Sequence, residues 1–374
     1  MSLTLFLGAG ASADAGYPLT AHLLAEMETR FANSLFNREK EDWQRFAKFR
    51  ESANGALSMV LRSSNPELVL TVPDLLEAAL NDSDAENWRK VKAAATAGDE
   101  ASINEINAHW KDPRRDQLVQ AVLAKQAFQR LADDFFSHNH CSDSEGEARN
   151  RRSYLQNALA KLAENDTVVT TNWDTLSERV LMEQGRWFPT DGYGFKVRIM
   201  IGPLWGRRRQ EELVEASNVK VLKLHGGTGW FRTEENAGKI YLRHARYLQY
   251  FTLPGHPEIH DIECPQPGHG PDLHPVVVFP SYLKNLEDEV LQAIWDQAAR
   301  ALYSSDRITF VGYSLPAADV AIRALLNPIR KRLADGNCSV TAVVGDDSHA
   351  ERRWKTFLGH GVIVLKKTAR DFFG

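Results

Sequence analysis

The chain has little cysteine, no long apolar run and no excess of positive charge, and each shortage removes a class of protein. Its three cysteines, Cys141, Cys264 and Cys338, stand far apart in 374 residues, which excludes a disulfide framework and any CxxC zinc pair. Such sparse use fits a reducing compartment. No apolar stretch reaches the roughly 18 residues of a membrane span, and the first residues lack the charged stretch and long apolar core of a secretory signal. The expectation is a cytoplasmic chain with no membrane partner. The formal net charge of −4 argues against a general grip on nucleic acid. The one basic run, Arg207-Arg208-Arg209, is followed by Glu211-Glu212, as on a solvated face.

What is present begins almost at once. Leu3-Thr4-Leu5-Phe6-Leu7 runs into Gly8-Ala9-Gly10-Ala11-Ser12-Ala13-Asp14-Ala15-Gly16-Tyr17-Pro18, a buried strand followed by a glycine turn and a helix start. Glycines at 8 and 10 let backbone approach a pyrophosphate, whose charge is met by free N–H groups at the start of a helix. The match to a dinucleotide fingerprint is partial. Ala13 stands where a third glycine belongs, and no acid ends a second strand about 20 residues on, so an ordinary strand-turn-helix reads the same way.

After the loop, Leu19, Leu23, Leu24, Met27 and Phe31 recur at helical spacing, which predicts a first helix over 18–31 with Pro18 in its first turn. Strand signals then vanish from about 36 to 165. Stripes such as Leu118, Val119, Val122, Leu123, Leu131 and Phe135 predict a helical insertion there, with an exposed loop at Ser137–Arg152. An α/β rhythm follows. Strands are expected at Thr167–Thr171, Val219–Leu224, Val276–Phe279, Ile308–Val311, Val340–Val344 and Val362–Leu365, with helices between them and a small irregular module, rich in Gly, Pro and His, at 226–275. That alternation implies a Rossmann-like, doubly wound parallel sheet built from residues 1–35 and 166–374. The 43% hydrophobic content suffices for such a core.

Four strand ends carry polar residues that a plain core does not require, and ligands of open α/β sheets bind beyond the carboxyl ends of strands. One reads Thr170-Thr171-Asn172-Trp173-Asp174. Here Thr175 and Glu178 also have capping-box spacing, so Asn172 or Asp174 serves equally as a helix cap. Leu224-His225-Gly226-Gly227 places an imidazole in a glycine turn, as a base beside the Asn carboxamide or as a structural hydrogen-bonder. Val311-Gly312-Tyr313-Ser314-Leu315-Pro316 precedes Asp319 and a helix, and Val344-Gly345-Asp346-Asp347 offers an acid to ribose hydroxyls.

In this order, the glycine loop, Thr170–Asp174, Leu224-His225-Gly226 and Gly312-Tyr313-Ser314-Leu315 resemble the sirtuin NAD-binding fold. With Pro280-Ser281-Tyr282-Leu283-Lys284 ahead of the last motif, the chain is most similar to the bacterial sirtuin-like branch known for NAD-consuming defence effectors. By that resemblance Asn172 and His225 fall on the catalytic Asn and His. Gly8, Ala9, Gly10, Ser12, Gly312 and Ser314 fall on cofactor contacts, and Thr171, Asp174, Leu315, Gly345 and Asp346 join them as candidate cofactor-binding positions. The resemblance implies cleavage of NAD, used as substrate, into nicotinamide and ADP-ribose, in an anti-phage effector that works as a homo-oligomer or with a separate sensor or ATPase partner.

Two other readings stay open: a protein deacylase or ADP-ribosyltransferase, and a module that binds NAD or ADP-ribose without turnover. Against deacylation, Leu19-Thr20-Ala21 stands where protein-deacylating sirtuins carry Asp-Phe-Arg, Thr171 replaces their Gln, and their four-cysteine zinc ribbon cannot be formed. His256, His260, Cys264, His269 and His274 gather within a short segment, but irregular spacing among Pro and Gly favours a surface loop over a metal site. No metal is expected.

Overall fold

A computed structural model describes residues 2–374 except 53–55, 64, 98, 139–144, 190, 196–197, 200–216, 234–240, 243–272, 279–288 and 318. The chain divides into two compact units, one of Met1–Tyr17, Phe136–Val277 and Leu286–Gly374, the other of Pro18–Phe135 and Val278–Asn285.

Strand β1 (Leu3–Leu7) leads into α1 (Ala9–Ala13), a single turn of helix. The second unit runs through α2 (Leu23–Phe31), α3 (Asn37–Glu51), α4 (Ala56–Leu61), α5 (Pro66–Ala78), α6 (Asp82–Ala97), α7 (Glu100–His109) and α8 (Arg115–His138), whose last residues belong to the first unit. The helix expected over 18–31 is thus shorter. Pro18 has no N–H to donate, a 3-10 turn occupies Thr20–His22, and α2 starts only at Leu23. Within this unit Arg130 grips the buried Asp42 carboxylate with two bonds, Nε to Oδ2 at 2.8 Å and Nη2 to Oδ1 at 2.6 Å.

The first unit resumes with α9 (Glu145–Ala160), β2 (Thr167–Thr170), α10 (Leu176–Glu183), β3 (Arg198–Ile199), β4 (Lys220–Lys223), β5 (Gly226–Thr233), β6 (Tyr241–Leu242) and β7 (Leu273–Val277). It ends with α11 (Glu289–Ser304), β8 (Arg307–Val311), α12 (Val320–Ala334), β9 (Ser339–Val343), α13 (Ala350–Leu358), β10 (Ile363–Leu365) and α14 (Ala369–Phe373). Helix α9 occupies part of the polar stretch expected to be a loop. It packs on α10 and α14, and its Tyr154 hydroxyl donates to the Ala11 carbonyl at 2.6 Å.

Six strands form a parallel sheet in the order β10-β9-β8-β1-β2-β4. Thr4, Leu5, Phe6 and Leu7 of the central strand are all buried, which is why a strand covered on both faces reads as an apolar run without alternation. The chain winds outward from β1 through β2 to β4, then starts again beside β1 with β8 and winds the other way. The winding therefore reverses between β1 and β8, and a crevice opens at such a reversal, beyond the carboxyl ends of the strands.

The run at 276–279 does not join this sheet. Val276 and Val277 lie in β7, antiparallel to β5 with Gly226 opposite Val277, in a second sheet ordered β3-β6-β5-β7. A short apolar run sets a strand but not its partner. Of the His/Cys segment, His274 lies in β7, and His256, His260, Cys264 and His269 fall outside the described residues.

Candidate active site

The turns after β1 and β8 meet at the reversal point. Gly8 N donates to the Val311 carbonyl at 3.0 Å and Gly10 N to the Gly312 carbonyl at 2.9 Å. Gly312 holds φ +66°, and a Cβ on it would lie 2.0 Å from Ala11 N. These glycines admit another backbone, a role the phosphate reading of the sequence did not contain.

Asn172 sits directly over this junction. Its Nδ2 donates to the Gly8 carbonyl at 3.0 Å and to Ser12 Oγ at 3.0 Å. A carbonyl can only accept, so the amide nitrogen must face Gly8, and Oδ1 is turned away from the glycine loop as an acceptor. The turn is fixed upstream as well. Thr170 Oγ1 donates to the Leu7 carbonyl and accepts from Asn172 N, both at 3.0 Å, and Thr171 N donates to the same carbonyl at 3.2 Å. Ser12 is buried in α1, with Ala9 and Gly10 half-buried before it.

His225 follows β4 in the turn to β5 and is 7% exposed. Leu224, beside it, is pinned from two directions: its N donates to the Thr170 carbonyl at 2.9 Å, and its carbonyl accepts from Trp295 Nε1 of α11 at 2.8 Å. Strands β2 and β4 are neighbours, so Asn172 and His225 stand at adjacent strand ends.

The other candidates separate by role. Asp174 caps α10, its Oδ1 accepting from Leu176 N at 3.0 Å. The capping box expected from Thr175 and Glu178 does not form: Thr175 makes no side-chain cap bond. Glu178 instead receives Lys223 Nζ at 2.9 Å, and both residues are buried. Burial pushes the Glu178 carboxyl above the usual carboxylate range, against the pull of Lys223.

Leu315 holds φ +53° and is fully buried, a strained conformation braced by Arg323 Nη2 on its carbonyl at 2.8 Å. The Ser314 carbonyl accepts from Arg353 Nε at 2.8 Å. Arg353 is also paired with Asp347, so it ties the turn after β8 to the turn after β9. Burial alone would raise the Asp347 carboxyl, but Arg353 and the His349 and Ala350 amides hold it below its ordinary value. Gly345 turns at φ +59°, and Asp346 is exposed beside it. The residues 280–284 lie outside the described residues.

Sequence reasoning missed Lys223, Arg323 and Arg353. A signal for the first existed: a lysine inside an otherwise apolar strand of a parallel sheet requires a buried partner. Among the described residues no group of three or more His, Cys, Asp or Glu is placed to hold a metal, and no helix is long and apolar enough to cross a membrane.

The chain belongs to the SIR2-like domain family, whose model matches residues 166–363. Membership supports an NAD-dependent activity in general. Among solved structures it is similar to a Sir2 homologue mutant in complex with ADP-ribose, at 16% identity and a TM-score of 0.35, over 100% of this chain and 88% of that one. A structure described as showing the mechanism and regulation of Sir2 enzymes is 15% identical with a TM-score of 0.39, over 100% and 89%. Sir2 bound to acetylated peptide is 14% identical with a TM-score of 0.33, over 100% and 90%. No curated protein matches the chain.

Proposed function

We propose that the protein is an NAD glycohydrolase. The observation that carries this reading is the fixed carboxamide of Asn172, whose two N–H groups are committed to Gly8 and Ser12, leaving Oδ1 as an acceptor at the strand end next to His225. The reaction breaks the bond between the nicotinamide nitrogen and ribose C1′. The bonding electron pair leaves with nicotinamide, which departs neutral and needs no acid. Water adds to C1′ and gives up a proton, for which His225 is the base. An acceptor fixed before the reaction orients that water or a ribose hydroxyl without reorganising as charge develops.

Gly8, Ala9, Gly10, Ser12, Thr171, Gly312, Ser314 and Leu315 line the turns at which NAD would sit. The exposed Asp346 carboxylate suits a ribose hydroxyl. Asp174, as a helix cap, supports the turn rather than the ligand.

Depletion of NAD as an anti-phage defence is the biological role we attach to this chemistry, on the resemblance of the motifs. Assembly with itself or with a sensor or ATPase partner is the control that such chemistry needs, since free turnover would drain the host's NAD. The deciding experiment incubates purified protein with NAD and follows nicotinamide and ADP-ribose. The wild type releases both without any peptide, and Asn172→Ala is at least about a hundredfold slower, the loss of roughly 2.7–4 kcal/mol that follows removal of one positioned polar group. Release that depends on an acyl-lysine peptide would make the protein a deacylase. Binding without release would make it a sensor.

A further inference from the structure

One buried cation stands between the Asn172 turn and the strand that leads to His225. Lys223 is fully buried in β4, between Leu222 and Leu224, which are equally buried. Its Nζ donates to the Asp174 carbonyl at 2.5 Å and pairs with Glu178 Oε1 at 2.9 Å. The acid is itself anchored: Oε1 also accepts from the Tyr193 hydroxyl at 3.3 Å, and the Tyr193 ring packs edge-on against Trp187 and Trp230 at 4.8 and 4.6 Å. One residue earlier in the Asn172 turn, the Trp173 carbonyl accepts from both N and Oγ1 of Thr228, each at 3.1 Å. The two carbonyls that follow Asn172 are therefore both held by residues flanking His225, two before it and three after it. Gly227 fits the same scheme, because a Cβ there would lie 2.5 Å from Lys223 Cε. The second glycine after the histidine makes room for the lysine stem.

We propose that Lys223 and Glu178 form a positioning pair, which fixes the Asn172 turn against the strand end carrying His225. The proposal rests on the glycohydrolase reading for its effect on rate. A buried ion pair is a poor source of stability, since apolar side chains of similar volume commonly replace one without loss. What leucine and methionine cannot replace is the donor to the Asp174 carbonyl. Small displacements of an orienting group are costly to rate, with about 1 Å enough for roughly a hundredfold.

The test uses the full chain and three variants. Lys223→Met alone leaves Glu178 buried without its cation and loses stability. The double variant Lys223→Met, Glu178→Leu removes both charges; it is expected to melt within about 3 °C of wild type and to bind NAD within about threefold, with kcat for nicotinamide release down at least about tenfold. Gly227→Ala keeps both charges but displaces the lysine, and kcat falls at least about threefold with KM nearly unchanged. Amide exchange of Leu176 and Thr228 is read in the same folded proteins, and it quickens in the double variant whatever reaction the site performs. A wild type that releases no nicotinamide would overturn the glycohydrolase reading while the exchange rates still judge the brace. Wild-type kcat in a folded double variant or in Gly227→Ala, or unchanged exchange, would overturn the positioning role.

Discussion

Gly10 and Gly312 are packed backbone to backbone: the Gly10 amide donates to the Gly312 carbonyl at 2.9 Å, and a Cβ on Gly10 would stand 2.9 Å from the Gly312 Cα. The carboxyl ends of β1 and β8 are thereby joined at the point where the sheet reverses its winding, and Asn172 is bonded to the same junction through Gly8 and Ser12. The rigidity of the candidate site starts from this contact, and several outcomes depend on it.

Gly312→Ala is expected to cost far more than Gly345→Ala, although both glycines have positive φ. At Gly345 nothing lies within 4 Å of an added Cβ, so the loss is the backbone term alone, about 1 kcal/mol. At Gly312 the methyl meets Ala11 N at 2.0 Å, which adds a collision between two backbones. Urea unfolding of the two variants decides it; equal stability would show that the turns are not interlocked.

Asn172→Asp should be less stable than Asn172→Ala by about 1 kcal/mol, and both should be inactive. The aspartate turns an acceptor toward the Gly8 carbonyl in place of a donor. Thermal melts at neutral pH measure the order, and the reverse order would mean that the amide does not face Gly8 in solution.

His225→Ala should abolish nicotinamide release and still bind NAD within a few-fold, because the turns around Gly8–Ser12 are untouched. Calorimetry with NAD separates the two roles. Loss of binding together with a lowered melting temperature would make His225 a structural histidine.

The Asp347–Arg353 pair gives a pH signature. The folded Asp347 carboxyl titrates below its unfolded value, so its contribution is present above the ordinary carboxylate pKa and is lost as pH falls through the lower, folded one. Wild type should exceed Asp347→Asn in stability at pH 6, by less than about 1 kcal/mol for a half-buried pair still screened by solvent, and the difference should shrink below about pH 4. A difference that is constant with pH would contradict the shift.

Specific activity should rise with protein concentration, or on adding a partner protein, if assembly controls the pocket. Turnover by dilute protein that is high and independent of concentration would show that no such control exists.

The parallel sheet was legible because its inner strands are largely buried and appear as apolar runs: Leu3–Leu7, Thr167–Thr170 and Arg307–Val311 all lie within a residue or two of where pattern alone puts them. The sequence also put Asn172 and His225 at strand ends, and the structure makes those strands neighbours. Pairing was not legible. The run at 276–279 carries no mark of the sheet it joins, and Glu178 at capping-box spacing gives no sign that it prefers a lysine some 45 residues later. Such choices are made by groups distant in sequence. For the same reason neither glycine loop carries a sign that Gly10 and Gly312 need each other's space.

The central position of β1 has a consequence for how the molecule is made. Ser2 N donates to Asp306 Oδ2, 304 residues away, and every residue of β1 pairs with one in β8. At about 5–20 residues per second, a ribosome needs roughly 15–60 s to deliver that partner. For about the first half of this interval the segment Leu-Thr-Leu-Phe-Leu has neither neighbour, and once β2 has been made the edge that β8 will fill is still unpaired. Pairing at the centre of the sheet therefore waits until β8 has been made. A nascent chain stalled before β8 offers chaperones an apolar strand with one edge still open.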